Sequence, residues 1–365
     1  MPLSESQSLK ERILAAERDG GLRALLVARI GATDGAWAVV ADLTDGCRQG
    51  CLTCPAKAPT DDHLRAWTAE ALGEVMLPRA EFLAIGCLGE PLLHPDVAGI
   101  LAALGGIKAR TRSDAFICLL TAATVRAGGQ LVDLARTGLD ILLVSVDATD
   151  VDAYARVRGG ARWEETRTRL GEALPAFARA GVRLGAQVML LRCTAGHARR
   201  TFEDLAGLGF SSVTFTQPTQ VPARAEGEVL RTDAPEFSGV QELERWLAPG
   251  NGAPDIRSAL PRRAPDLGGG LRALFGDGAT WDEDRAPGAG ICVAPWFNLR
   301  VDCRGRVFPC NFMDDPGDAI GDVEDGDFEA IAGGARSRRI RRALLDGRCP
   351  TRACERCAFG PGARP

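Results

Sequence analysis

Six short apolar runs alternate with helix-length segments over the first two thirds of the chain. They cover residues 37–43, 81–87, 115–121, 140–147, 182–191 and 211–217. Helical periodicity is clearest at 163–181 and 198–209. Continuous apolar strands separated by helices predict βαβ units and a parallel sheet. Six such units favour a partial (β/α)6 barrel over residues 37–220, with an open doubly wound sheet as the structural alternative.

The pattern changes on either side of the predicted barrel. Residues 1–36 form an N-terminal extension, in which 6–18 have helical periodicity. Residues 221–290 are rich in proline and glycine, which predicts a linker or a lid. A helix is expected within this segment at 234–247, with Asp233 as its N-cap.

The last segment, 291–365, predicts a small cysteine-rich α+β module. The stretch WFNLRVDCRGRVFPC alternates apolar and polar positions around Gly305, which predicts a hairpin with this glycine at the turn. Residues 334–347 predict a basic helix, and its arginines are expected on a solvated face. These arginines are Arg338, Arg339, Arg341 and Arg342.

Composition and charge exclude some classes of protein. The formal net charge of −4 argues against a general nucleic-acid binder, which has a basic face. No apolar run approaches the roughly 18–20 residues that span a bilayer. The N-terminal stretch lacks the apolar core of a secretory signal. The sequence therefore predicts a cytoplasmic protein with neither a nucleic-acid nor a membrane partner.

Cysteines carry the candidate chemistry. The chain has 12 of them, and in a reducing compartment metal or cluster ligation is a better explanation than disulfides. Cys47, Cys51 and Cys54 follow the first predicted strand with the spacing C-x3-C-x2-C. Loops at the carboxyl ends of parallel strands form active sites in α/β folds. Three local thiolates without a neighbouring histidine suit an iron–sulfur site better than a closed zinc site, and they leave one position open.

This motif resembles that of the radical S-adenosylmethionine (SAM) superfamily. The resemblance implies a [4Fe–4S] cluster on Cys47, Cys51 and Cys54, whose fourth iron is chelated by the amino and carboxylate groups of SAM. It further implies that an electron from the cluster cleaves SAM to a 5′-deoxyadenosyl radical, which abstracts a substrate hydrogen. The family usually has an aromatic residue near the adenine where this sequence has Thr53.

Further motifs in the predicted barrel extend the resemblance. Gly89, Glu90 and Pro91 are similar to the family's Gly-Gly-Glu-Pro segment, with Leu88 in place of the first glycine, and imply a site for the SAM amino group. The segment SVDA (145–148) ends the fourth predicted strand and is similar to the family's Ser-x-Asp segment, which implies that Ser145 and Asp147 lie near SAM. Gln187 and Arg192, near the end of the fifth predicted strand, are candidates to face SAM or substrate, and Thr121 is retained from a Thr-Asn-Gly segment. Arg158 is expected to be solvated, with a contact to a carboxylate as the alternative.

A second group of cysteines lies in the C-terminal module. Its order and spacing resemble the twitch module, a shortened SPASM domain with one auxiliary [4Fe–4S] cluster. The ligands implied are Cys292, Cys310, Cys354 and Cys357. No cysteine follows Cys357 in this sequence, which favours one auxiliary cluster over two. Cys303 and Cys349 are left over as replacement ligands, hydrogen donors or inert thiols, and a zinc ribbon is the rival for the whole module.

The resemblance implies an enzyme that oxidises or epimerises a sugar or aminocyclitol carbinol in natural-product biosynthesis. Flavodoxin or ferredoxin is the implied electron donor. The competing enzyme is a maturase of a ribosomally made peptide, although the roughly 36 N-terminal residues are short for a leader-binding module. A zinc-binding interaction protein is the alternative of another class. Candidates for a catalytic role are Arg192, Cys303 and Cys349.

Overall fold

Strands form one continuous sheet in the part of the chain that the computed structural model describes. That part comprises residues 16, 20–34, 37–54, 58, 60–124, 128–216, 218, 222–231, 233–248, 251, 257–259, 291–355 and 357. The strands are β1 (Trp37–Ala41), β2 (Ala80–Ile85), β3 (Phe116–Thr121), β4 (Ile141–Ser145), β5 (Arg183–Met189), β6 (Ser212–Thr216), β7 (Arg257–Ala259), β8 (Asn298–Val301), β9 (Arg306–Phe308) and β10 (Gly321–Asp322).

The strand order confirms the predicted α/β architecture. It runs β10-β9-β8-β1-β2-β3-β4-β5-β6-β7. Strands β1 to β7 pair in parallel in the order of the sequence, and β8 pairs in parallel with β1. The hairpin of β8 and β9 is antiparallel, as predicted, and Gly305 has a φ of +89° in its turn. The C-terminal segment thus continues the sheet of the barrel.

Helices connect the parallel strands and cover one face of the sheet. Their bounds are Leu22–Ala28, Ala66–Met76, Val97–Thr111, Gly128–Val132, Val151–Val157, Trp163–Arg179, Arg192–Ala195, Ala198–Gly207, Phe237–Leu247, Phe328–Gly333, Ala335–Leu345 and Arg352–Glu355. Short 3-10 helices span Pro91–Leu93, Asp133–Arg136, Ala223–Glu228, Ala294–Trp296, Pro316–Asp318 and Val323–Asp325. Asp96 and Asp150 cap their helices by accepting backbone N–H groups. No helix in these ranges is long and apolar enough to cross a membrane.

Alternate residues of the strands enter two different cores. Leu83 and Ile85 of β2 join the large core between sheet and helices. Phe82 and Ala84 join a small cluster on the opposite face, together with Cys118. Cys118 is fully buried there, as expected for an inert thiol. The second face therefore carries a small apolar cluster on β2, β3 and β4.

Part of the segment predicted as a linker or lid belongs to the sheet, because β7 pairs with β6. The helix expected there begins at Phe237 and its N-cap is Glu236, so the N-cap prediction for Asp233 is wrong. A turn precedes the helix, closed by the N–H of Phe237 donating to the carbonyl of Ala234. The predicted helix at 6–18 lies outside the described residues, apart from Ala16.

Candidate active site

The cysteine loop follows β1 and is fixed by three other segments. The N–H of Leu52 donates to the carbonyl of Val157 at 2.8 Å. Arg224 donates to the carbonyls of Cys51 and Cys54 from the solvent-exposed side of the loop. The N–H of Glu90 donates to the carbonyl of Gly46 at 3.3 Å. The loop is thus a preformed element at the carboxyl edge of the sheet.

The three thiols of this loop influence one another. Burial raises the pKa of Cys47 to about 11, and the neighbouring Glu90, Cys51 and Cys54 add to the increase. The pKa of Cys51 is also raised by burial, and the positive charge of Arg158 opposes the increase. The backbone N–H of Gln49 donates to Sγ of Cys47 at 3.3 Å. Three mutually coupled thiols with a donor on one sulfur match the chemistry of iron–sulfur ligands.

Arg158 is buried beside the cysteine loop, so the prediction that it is solvated is wrong. Its Nη2 lies 2.8 Å from Oδ2 of Asp147, and the two side chains are 9% and 6% exposed. Its Nη1 donates to Sγ of Cys51 at 3.8 Å. Its Nε is buried and has no hydrogen-bond partner among the described residues. Arg158 therefore keeps one donor available at the cysteine loop.

Asp147, a candidate for SAM binding, has its carboxylate occupied within the protein. Oδ2 contacts Arg158, and Oδ1 accepts the N–H of Met189 at 2.9 Å. The residue has a φ of +71°, an uncommon conformation for a side chain other than glycine. These contacts make Asp147 a residue that positions Arg158.

Gly89, Glu90 and Pro91 form the loop after β2 and pack against the cysteine loop. A Cβ atom at Gly89 would lie 2.4 Å from the carbonyl oxygen of Thr44, so only glycine allows this approach. Pro91 is buried at the start of a 3-10 helix. The carboxylate of Glu90 accepts hydrogen bonds from the hydroxyl of Thr121 and the N–H groups of Leu92 and Ala122. Glu90 thus connects the loops after β2 and β3.

Asp42 organises the same loop from the end of β1. Its Oδ1 accepts the N–H groups of Cys87, Leu88 and Gly89 at 2.9, 2.8 and 3.3 Å. Its Oδ2 lies 2.7 Å from Nη2 of Arg300 on β8, and the two side chains are 2% and 6% exposed. A buried carboxylate here holds the backbone after β2 and pairs with the C-terminal hairpin.

The other SAM-site candidates lie at the same edge of the sheet. Ser145 ends β4, and its register partner is Gln187, two residues before the end of β5. Thr53 is buried within the cysteine loop. Ser145 and Gln187 are therefore neighbours on adjacent strands, while Thr53 belongs to the cysteine loop.

Arg192 is placed differently. It makes an exposed ion pair with Glu236, with Nη2 and Oε1 2.7 Å apart. This contact satisfies its guanidinium on the surface and gives no support to a catalytic role.

Four cysteines of the C-terminal segment form a second coupled set. Burial raises the pKa of Cys310 well above its usual range, and Cys292, Cys357 and Cys354 add to the increase. The N–H of Phe312 donates to Sγ of Cys310 at 3.5 Å, and the hydroxyl of Thr351 contacts Sγ of Cys354 at 3.5 Å. These four residues are the set predicted from the sequence.

Cys303 and Cys349 have different surroundings. Cys303 is 5% exposed in the hairpin, and burial and the charges of Asp302 and Asp45 raise its pKa to about 12. Cys349 is coupled to Cys354, and it lines an open pocket with Asp315 and Asp318. The cysteines that raise the pKa of Cys310 are Cys292, Cys357 and Cys354.

Both thiol sets fit iron–sulfur clusters in their donor chemistry, because sulfur ligands that accept N–H bonds are typical of such sites. Across the described ranges, no three His, Cys, Asp or Glu side chains form a group that could hold a single metal ion.

Comparison with known families agrees with this geometry. The SPASM family, described as an iron-sulfur cluster-binding domain, matches residues 292–358. No curated protein sequence matches the chain significantly.

Two solved structures share the fold over most of the chain. The first is Streptococcus suis SuiB bound to precursor peptide SuiA, with a TM-score of 0.63, 14% identity and coverage of 100% of this chain and 79% of SuiB. The second is native anSMEcpe with bound AdoMet and Cp18Cys peptide, with a TM-score of 0.61, 14% identity and coverage of 89% and 88%. Both are radical SAM enzymes. The chain has the radical SAM fold with a C-terminal SPASM-like module. At 14% identity this likeness shows the fold alone. Any argument about the chemistry of this protein therefore depends on the residues described above.

Asp42, Arg224 and Arg300 were not predicted as site residues. Asp42 carried a usable signal, since an acidic residue directly follows the buried run of β1. Arg300 alternates with apolar residues in β8, which marks it as facing away from Leu299 and Val301. Arg224 lies in a proline- and glycine-rich segment, whose pattern carries no such signal.

Proposed function

We propose that this protein is a radical SAM enzyme that abstracts a hydrogen atom from a polar substrate. The observation that carries the proposal is the coupled set Cys47, Cys51 and Cys54 beside Arg158, whose buried Nε has no partner in the described ranges. When bound, a [4Fe–4S] cluster on these thiolates supplies the electron that cleaves SAM to a 5′-deoxyadenosyl radical.

The residues around the cysteine loop bind and orient the cofactors. Arg158 provides a donor and a positive charge for the carboxylate of SAM, and Asp147 fixes its position. Gly89 allows the loop after β2 to approach the cysteine loop closely. Glu90 acts indirectly, because its oxygens already accept three hydrogen bonds from the protein. Ser145, Gln187 and Thr53 are the further residues proposed to contact SAM at the carboxyl edge of the sheet.

The C-terminal module would hold one auxiliary cluster on Cys292, Cys310, Cys354 and Cys357. Net oxidation of a carbinol after hydrogen abstraction requires the loss of one more electron and one proton. A cluster held there would accept that electron, the proton would pass to solvent, and flavodoxin or ferredoxin is the proposed external donor of the electron that cleaves SAM.

Two substrate classes have specific support. A sugar or aminocyclitol fits the short polar side chains Ser145, Gln187 and Thr216 on the face away from the helices, and Oγ1 of Thr216 is buried without a partner in the described part. A peptide is favoured by the two structural neighbours, both of which have peptide bound. The proposed enzyme chemistry is common to both classes.

The test of the proposal is anaerobic reconstitution followed by iron, sulfide and zinc analysis. About eight irons per chain are expected, falling to about four when Cys47, Cys51 and Cys54 are all changed to Ala. With SAM and a reductant, 5′-deoxyadenosine should form in the wild type and not in the triple variant. Zinc without iron, and no SAM cleavage, would leave a structural metal protein instead.

The substrate class is tested with deuterated candidates. Transfer of deuterium into 5′-deoxyadenosine from an aminocyclitol deuterated at its carbinol carbons would support the first class. Transfer from a peptide deuterated at Cα or Cβ positions would support the maturase.

A further inference from the structure

The two cysteine sites are joined by one chain of buried polar contacts. It begins at the loop after β2, where three successive N–H groups donate to Oδ1 of Asp42. Arg300 donates to Oδ2 of Asp42 through Nε at 2.8 Å. Nη1 of Arg300 donates to the carbonyl of Met313 at 2.7 Å. This series of polar contacts therefore ends on the turn that contains Cys310.

The turn is itself built around Cys310. The N–H of Met313 donates to the carbonyl of Cys310 at 3.3 Å, and the N–H of Phe312 donates to its sulfur. A second contact links the loop after β2 to this turn, because Sγ of Cys87 lies 4.0 Å from the carbonyl oxygen of Asn311. Ligation of Cys310 would therefore fix the turn that Arg300 and Cys87 contact.

Burial of the ion pair between Asp42 and Arg300 makes their positions depend on each other. Asp42 and Arg300 are 2% and 6% exposed, so neither charge can turn to water if the other moves. Displacement of the Met313 carbonyl removes one acceptor from Arg300, and any resulting shift of its guanidinium is passed to Asp42. Because Asp42 holds three consecutive N–H groups, the loop of Gly89 must follow.

We infer that Asp42 and Arg300 are positioning residues that make SAM affinity at the first cysteine site depend on cluster occupancy at the second. The inference rests on the proposed function, because it assigns SAM to the loop after β2. Coupling free energies between sites commonly correspond to fivefold to about 150-fold changes in affinity. We expect about a tenfold effect here.

The experiment measures SAM binding, independently of turnover, by anaerobic equilibrium dialysis of reconstituted protein. The variants are Cys310→Ala, which removes an auxiliary ligand, Arg300→Met, and the double variant. Each single change should raise the Kd for SAM about tenfold while about four irons remain at the first site. The double variant should bind no more weakly than the weaker single variant, because both changes break the same chain.

Arg306→Met is the matched control. Arg306 lies in the same hairpin and is paired with an aspartate, Asp302, at 2.6 Å. The Arg306→Met variant loses the same charge but keeps the polar contacts that link Met313, through Arg300 and Asp42, to the loop of Gly89. Its Kd for SAM should therefore stay within about twofold of the wild type.

Two results overturn the inference. One is a Cys310→Ala protein that keeps about four irons and the wild-type Kd for SAM. The other is a double variant whose loss is the product of the single losses, which would show independent effects. Since Cys310→Ala leaves the buried pair intact, it decides the question even where Arg300→Met does not fold. Wild-type protein that binds no SAM would overturn the proposed function itself, which is a different outcome.

Discussion

Gly159 lies directly against the carbonyl oxygen of Gln49, inside the cysteine loop. A Cβ atom at Gly159 would be 1.9 Å from that oxygen, and the residue has a φ of +60°. The side chain of Gln49 also donates to the carbonyl of Arg158. The segment that carries Arg158 is thus docked on the cysteine loop with no space for a side chain.

Gly159→Ala should therefore displace the cysteine loop or Arg158. We expect the rate of 5′-deoxyadenosine formation to fall at least about tenfold, a loss comparable to that of a misplaced binding group. Gly160→Ala is the control, because Gly160 also has a positive φ, +84°, and nothing lies within 4 Å of its Cβ position. That change should cost about 1 kcal/mol of stability and leave the rate near wild type. Equal losses in the two variants would show that backbone strain alone matters.

Arg158→Met should destabilise the cluster-free protein by about 3–5 kcal/mol, because Asp147 would keep a buried charge without its cation. The measurement is urea unfolding of the apoprotein. Adding Asp147→Asn to this variant should recover part of the loss, since the charge is then removed. No recovery in the double variant would show that packing of the arginine, rather than the ion pair, supplies the stability.

Cys310→Ala should lower the iron content from about eight to about four per chain, because its thiol is coupled to the three other cysteines of the second set. Cys303→Ala and Cys349→Ala are the matched comparisons and should keep about eight irons. A loss of iron in either comparison variant would assign that cysteine as a ligand in place of one proposed here.

Alkylation of Cys303 should depend strongly on pH. Burial raises its pKa to about 12, and the thiolate is the reactive form. Its rate of reaction with iodoacetamide should increase about tenfold per pH unit from pH 8 to pH 11, since the thiolate fraction grows throughout that range. Mass spectrometry of the peptide containing Cys303 gives the rate. A plateau near pH 9 would indicate an ordinary, accessible thiol.

The sequence predicted the strands well because buried parallel strands are continuous apolar runs. The six predicted runs match β1 to β6 with small differences at their ends. The first thiol set could be predicted from spacing, because its three cysteines lie in one loop, whereas the second spans residues 292–357 and was predicted only from its resemblance to the twitch module. The pairing of Asp42 with Arg300 was not, since the two residues are 258 positions apart and meet only through the pairing of β1 and β8.

Arginines were the least predictable residues. A polar pattern places them on a solvated face, yet Arg158 and Arg341 are buried. Local sequence does not show which carbonyls or carboxylates a folded chain will bring to a guanidinium.

Arg341 is the clearest case and leads to a stability prediction. It is fully buried, lies over the rings of Trp37 and Trp296, and donates to the carbonyls of Pro295 and Ile30 at 2.9 Å. Burial, and then the charges of neighbouring arginines, lower its pKa to about 10, so the side chain remains protonated at neutral pH.

Arg341→Ala would leave those carbonyls without a donor and open a cavity between the helix Ala335–Leu345 and the segment that precedes β1. We expect a loss of about 3 kcal/mol in the free energy of unfolding. Arg342→Ala, an exposed neighbour on the same helix, should change it by no more than about 0.5 kcal/mol. Urea unfolding of both apoproteins makes the comparison. Similar stabilities would mean that the cost of burying the charge cancels the hydrogen bonds and ring contacts that Arg341 makes.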